Sequence, residues 1–293
     1  MKRIIRFSFL YDWTSHCAGL LILLTFAPGC FPQPAFSQQR IAPSGWIEDS
    51  QPASNLVPKG SATGARAPLQ GGVQHSDELR PLPSNLQSGA IFDEKSIPKT
   101  ADDVGWYQIP DWLAGKWLRE EETILSTYFF ESKVQQNEPR TIAEREIAEF
   151  GFQRDKQGKI WHYRLASKGV SDCGSYLAVA FVQSQEPLHV AEDLVVIRDV
   201  FVEVQVNKET NVIMHSSQAE SITKYRPLHD GLIKTSMSVK VFNEDGTPYT
   251  VQRNIAADKR IEAFKSTDTF KEHNLRKSFA DFLHVTGRDD LIP

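Results

Sequence analysis

Cysteine is scarce in this 293-residue chain: only Cys17, Cys30 and Cys173 are present. The first two lie in an N-terminal stretch that reads as an export signal, so its removal leaves Cys173 alone and excludes a disulfide-stapled scaffold. Stability must then come from a buried core. A surplus of positive charge is also missing. Lys plus Arg number 33 against 37 Asp plus Glu, for a net charge of -4, and no basic run marks a surface for nucleic acid or for an anionic membrane. Enzyme signatures are absent as well: no G-x-S-x-G elbow, no phosphate loop, no H-E-x-x-H and no C-x-x-C. No catalytic residue, metal or cofactor is therefore assigned, and the expectation is a protein that is not an enzyme.

What is present begins with compartment. Lys2, Arg3 and Arg6 precede an apolar run over 17–27, Pro28-Gly29, and small residues Ala35 and Ser37 around Phe36. This is the layout of a signal peptide over 1–37 cleaved after Ser37. The run, roughly 11 residues, is short of the ~20 that a spanning helix needs. The expected location is exported, periplasmic or secreted, with a soluble mature chain. Two alternatives stay open: an uncleaved anchor extended by Tyr11 and Trp13, and a lipidated Cys30, which follows Gly29 but has Ala27 where a branched aliphatic residue is usual.

Residues 38–104 are rich in Pro, Gly, Ser, Gln and Asn, with no period. They read as a disordered linker that cannot bury enough apolar surface to offset its entropy. Residues 105–293 carry the folded domain. Three hairpins are legible there: strands flanking Asp155-Lys-Gln-Gly158, Asn207-Lys-Glu-Thr-Asn211 and Asn243-Glu-Asp-Gly246, loops with the residues that tight turns need. Alternation assigns faces. Val200, Val202, Val204 and Val206 oppose Asp199, Phe201, Glu203 and Gln205; Trp161 and Tyr163 oppose His162 and Arg164; Ile233, Thr235, Met237, Val239 and Val241 oppose Lys234, Ser236, Ser238 and Lys240. The run 141–152 fits a strand or a helix. Thr269 and Glu272 suggest a capping box for a C-terminal helix bearing Phe270, Leu275, Phe279, Phe282 and Leu283, with Gly287 at its end.

About eight antiparallel strands with one apolar face can bury it by closing into an up-and-down barrel. The expected fold class is all-β, with a C-terminal helix against the barrel wall. The segment from Asp111 to Trp117 opens this domain, with Gly115 allowing close backbone approach and Trp117 plugging a barrel end. Gly115-x-Trp117 resembles the Gly-x-Trp signature that opens the first strand of lipocalins and other calycins, a resemblance that spans roughly 109–283. It implies an Arg near the end of the last strand packed over Trp117, for which Arg253 and Arg260 both match in order. The family's Thr-Asp-Tyr turn is missing here and its disulfides cannot form.

Among other candidates, Cys173 beside Asp172 reads as inert, because a neighbouring carboxylate disfavours the thiolate. His189 and Glu192 lack a third zinc ligand, and Glu120, Glu121 and Glu122 read as a solvated acidic stretch. His162, His215 and His284 are haem-ligand types in calycin-like barrels, with His162 assigned to the wet face. Arg198 shares the Val200 face, so it meets an anionic group, or lies at the rim, or is re-aimed by a bulge. The resulting expectation is an exported calycin-like barrel holding a small apolar or amphipathic ligand, lined by Trp161, Tyr163 and Met237, with Arg198 meeting a carboxylate. The alternative is a filled barrel acting as a structural or interaction module with an envelope protein partner. Mass spectrometry of the exported protein is expected to show Gln38 as the first residue; a chain retaining residues 1–37, or one lipidated at Cys30, would reject the cleavage assignment.

Overall fold

The computed structural model describes residues 74–97, 105–164, 168–270 and 273–293. The signal peptide and the remainder of the expected linker lie outside them. In chain order the strands are β1 (Trp106–Ile109), β2 (Gly115–Phe129), β3 (Val134–Gln136), β4 (Arg140–Phe150), β5 (Gln153–Arg154), β6 (Ile160–Tyr163), β7 (Lys168–Asp172), β8 (Tyr176–Val190), β9 (Val195–Asn207), β10 (Ile213–His229), β11 (Leu232–Asn243), β12 (Pro248–Ala263), β13 (Thr269–Phe270) and β14 (His273–Asn274), followed by helix α1 (Leu275–Val285). The molecule is mostly β, with a large antiparallel meander and one C-terminal helix.

The main sheet runs β7-β8-β9-β10-β11-β12-β2, and beyond β2 its edge is shared by β4 and β3. The hairpins at 207–211 and 243–246 join β9 to β10 and β11 to β12, each with one register shift close to the turn. The ambiguous run at 141–152 is a strand over most of its length, because β2 offers it a free edge: Gly115 pairs Phe150 and Ile124 pairs Arg140. Local pattern leaves the choice open, and the available ladder decides it.

The sheet curls strongly. Phe150 on β4 and Tyr225 on β10 are four strand steps apart, about 19 Å in a flat sheet, yet their ring centroids are 5.1 Å apart. Leu113, Trp117, Phe150, Ile160, Val195, Ile197, Tyr225 and Ile233 form one buried cluster inside the curl. The hydrogen-bonded path does not close among the described residues, however. It ends at β3 and β4 on one side and at β7 on the other, so the expected closed barrel is replaced by an open curl. A small sheet, β1-β6-β5, packs through β1 against β8. Its ladder pairs Tyr107 with His162 and Ile109 with Ile160 on one face, and Trp106 with Tyr163 on the other. Ile109 and Ile160 join the inner cluster, while Trp106, Trp161 and Tyr163 pack on Leu275, Phe279 and Leu283 of α1.

Three expectations are corrected. The linker does not extend unbroken to 104: residues 75–97 lie on the outer face of the sheet, with Leu82 and Leu86 buried against Val179, Phe181, Val202, Val204 and Val206. Leu82 and Leu86, with Ala90, Phe92 and Ile97 beside them and backbone bonds such as Leu82 N to Glu244 O, anchor a strap whose composition resembles a spacer. The Val200 to Val206 face is therefore the outside of the curl under this strap, and Asp199, Phe201 and Glu203 project inward. Finally, α1 is capped by Asn274, whose side chain accepts from Lys277 N at 2.9 Å, and Thr269 instead pairs with Asn274; Glu272 lies outside the described residues.

Two glycines make close approaches. Gly246, at φ +86°, turns β11 into β12 where a Cβ would lie 2.0 Å from the Leu79 carbonyl oxygen of the strap. Gly115, at φ +124°, starts β2 against the end of β12, where a Cβ would lie 2.5 Å from the Glu262 carbonyl oxygen. Gly115→Ala meets both left-handed strain and backbone overlap, and is expected to lower unfolding free energy by about 2 kcal/mol or more. Urea unfolding checks this; a midpoint equal to wild type would contradict the register of β2 and β12.

Candidate functional site

The inner face carries charge at its centre. Along β2 the alternation that turns Trp117 inward also turns Arg119 inward, and the register shift between Arg119 and Glu121 brings Glu122 into the interior as well. On β12, unbroken alternation opposite β11 turns Asn254, Ala256 and Asp258 inward beside Met237, Thr235 and Ile233. The bulge in β2 re-aims Glu122, a side chain that strict period two would send to solvent. Asp258 grips Arg119 as a fork, with Nε to Oδ1 at 2.9 Å and Nη2 to Oδ2 at 3.1 Å. Arg119 Nη1 donates to Glu146 at 2.9 Å and to Glu122 at 3.3 Å. Thr235 donates to Asp258 at 2.6 Å and Asn254 Nδ2 donates to Glu122 Oε1 at 2.5 Å. All six residues are buried.

One guanidinium cannot neutralise every carboxyl here. Burial pushes Glu146 up to about 8 and Glu122 up to about 7, with Arg119 only partly opposing it. Glu144 is also raised, by burial first, and lies beside Glu122, so a protonated member of that pair can donate to the other. Burial works against the charge on Arg119, but Glu146 and Asp258 more than offset it and hold the guanidinium protonated. A second acidic set adjoins. Burial raises Asp199 to about 6 although Gln185 donates to it at 2.9 Å, and raises Glu203 to about 7.

Several polar atoms in this interior have no hydrogen-bond partner: both Glu144 oxygens, Asn254 Oδ1, Gln185 Oε1, Glu203 Oε2, the Tyr107 and Ser217 hydroxyls and Arg164 Nε. Native interiors rarely leave such groups bare. Around Glu144 and Asn254 they are acceptors, whereas Ser217 stands opposite Glu203 and Arg164 lies within electrostatic reach of Asp199. Asp199, Ser221 and Met237 on β9, β10 and β11 are only half-buried, while Phe201, Thr223, Thr235 and Val239 around them are buried. Alongside runs an apolar row in register across four strands, Val182, Phe201, Ala219 and Val241, which with Val239 forms a buried cluster. No three His, Cys, Asp or Glu side chains among the described residues are grouped to hold a metal ion.

The residues singled out from sequence are distributed as follows. Met237 faces in, with its sulfur 3.7 Å from Arg119 Nη1. Arg198 does share the Val200 side, but that side faces the strap: it pairs with Glu220 and donates to Ser76 Oγ at 2.8 Å. Glu220 also binds His75 Nδ1 and the Ser76 amide, each at 2.8 Å. Burial opposes its charge, yet His75, Ser76 and Arg198 hold its carboxyl down to about 2. Trp161 and Tyr163 face α1, Trp161 donating to Asp155 Oδ2 at 2.8 Å. The four expected lining residues thus occupy three separate environments and do not form one pocket wall. Of the two arginines, Arg260 lies over Trp117 at 4.7 Å from the ring centroid and donates to the Trp112 carbonyl, while Trp117 Nε1 donates to Leu113 O at 2.7 Å. Arg253 pairs with Ser126 and Ser238 on neighbouring strands.

His162, assigned to a wet face, is buried among Phe150, Phe152 and Tyr107 and accepts from Gly151 N at 3.1 Å through Nδ1. Alternation separated its face from that of Trp161 but did not reveal that both faces of β6 are covered. Arg119, Glu146, Asp258 and Asn254 were not anticipated, and Glu122 was grouped with its solvated neighbours. The available signal was Arg119 two residues beyond an inward Trp117. The bulge in β2 hid Glu122, whereas Asn254 and Asp258 follow plain alternation on β12, in register with Met237 and Ile233. No family model matches the sequence, no curated protein matches it, and no solved structure matches the fold.

The raised carboxyls link this site to stability. Above about pH 4.5 they are ionised in the unfolded chain but retain protons in the folded one, so the folded state binds more protons and loses stability as pH rises. The window runs from 4.5, the ordinary carboxyl value, to about 8 for Glu146. Urea midpoints are expected to fall between pH 5 and pH 9, with a smaller fall in Glu146→Gln. An equal fall in both proteins would show that Glu146 titrates normally.

Proposed function

We propose that the protein is an exported, non-enzymatic, calycin-like curled sheet that binds a small amphipathic molecule on its inner face. One observation carries this reading: bare buried polar atoms flank a half-buried strip on the inner face, next to an apolar row on the same face. A buried polar atom without a partner costs about 1–3 kcal/mol, so a molecule that satisfies several while covering apolar surface gains on both counts. Kinship with the calycins is supported by Gly115 at the β2–β12 crossing and by Arg260 over Trp117. The ligand-binding residues move from Trp161, Tyr163 and Arg198 to Met237 and its neighbours on the inner face. Tryptophan fluorescence of the secreted protein, titrated with fatty acids, alkyl alcohols, alkyl amines, isoprenoids and haem, is expected to give at least one saturable response. Absence of any response, together with native mass spectra showing only bare protein from its natural host, would reject binding in favour of a filled envelope module.

A further inference from the structure

Resting on the inner-face reading above, we propose that the carboxylates around Arg119 receive the cationic head of the ligand, an ammonium group, while its aliphatic part lies along Met237, Val239, Val241 and Phe201. The charge count points this way. Arg119 and Glu122 come from β2, Glu144 and Glu146 from β4, and Asp258 from β12, so four carboxyls face one guanidinium. Tyr225 of β10 lies within electrostatic reach of Arg119, Glu146, Asp258 and Asp199 and adds no positive charge.

Donor accounting at Arg119 works against the opposite polarity there. All three guanidinium nitrogens of Arg119 are engaged by carboxylates, leaving little to offer an anionic headgroup, which would also have to approach Glu144. A second observation is independent of charge. Asn254 is 2 % exposed, its Nδ2 is committed to Glu122, and its Oδ1 lacks a donor. Glu144, whose oxygens meet no donor other than a protonated Glu122, adds acceptors beside it. An ammonium brings up to three donors and no acceptor, and charge-assisted bonds are roughly twice as strong as neutral ones. Arrival of the cation also favours the ionised carboxyls, so binding near neutral pH releases protons held by Glu122, Glu144 and Glu146.

The test uses one chain with three heads: n-octylammonium, n-octanol and n-octanoate, titrated calorimetrically into the full secreted protein. Octylammonium is expected to bind at least about tenfold more tightly than octanol, with octanoate weakest. Repeating the titration at pH 6.5 in two buffers of different ionisation enthalpy should show net proton release for the amine alone, and affinity for it should rise toward pH 8.5. Glu144→Gln, which disturbs only the contact with Glu122, should narrow the amine-to-alcohol ratio. If octanol or octanoate equals octylammonium, the cation assignment is overturned while amphiphile binding stands. If octylammonium does not bind, the assignment is likewise overturned; if no other amphiphile binds either, the inner-face reading falls with it.

Discussion

A guanidinium buried inside a curled sheet must be matched by carboxylates, and this requirement ties together the strands on which the fold closes up. Through Arg119 and Glu122, β2 is linked to Glu146 on β4 and to Asp258 and Asn254 on β12, and through Asp258 to Thr235 on β11. These four neighbouring strands include the seam where the last long strand returns to the first. Removing one partner from such a buried set typically costs about 3–5 kcal/mol, because a charge is left without compensation. The network is thus more valuable as a specification of register than as a source of net stability. A slip of β12 by one residue would withdraw Asp258 from its fork and leave Arg119 uncompensated.

The sheet has two buried faces, and they are stabilised by different means. Outside, the valines of β9 meet Leu82 and Leu86 of the strap, an apolar contact reinforced by Glu220 with His75, Ser76 and Arg198 and by further hydrogen bonds along the strap, from Lys240 donating to Ser76 O to Phe92 N donating to Asn211 O. Inside, apolar packing is concentrated at the end sealed by Trp117, Phe150 and Ile160, and the middle is polar. The small sheet β1-β6-β5 mediates between the inner cluster and α1: Ile109 and Ile160 face one way, and Trp106, Trp161 and Tyr163 the other. This division explains why aromatic residues that read as lining belong to the support of the site instead.

The arrangement at the entry to β2 shows how few residues set a local geometry. Gly115 permits contact with the β12 backbone, Trp117 fills the end of the curl and bonds Leu113 O, and Arg260 covers the indole while holding the Trp112 carbonyl. A cation over an aromatic face is worth about 0.5–2 kcal/mol depending on desolvation, and here the same guanidinium also satisfies a backbone acceptor.

Sequence alone determined the β class, the hairpins at 207–211 and 243–246, the terminal helix and the facing of Met237, because period-two alternation and turn chemistry are local properties. It left Arg253 and Arg260 equal, since both are simply late arginines on one strand. Tertiary structure chose between them, turned the oily face of β9 outward, ordered residues 75–97 and enclosed His162. Each of these depends on what lies across a gap of many residues, which no local pattern contains. The carboxylate cluster was hidden for a related reason: the register shift in β2 changes which of its side chains point inward, and Asn254 and Asp258, though in plain alternation, are matched to Met237 and Ile233 only by the pairing of β11 with β12.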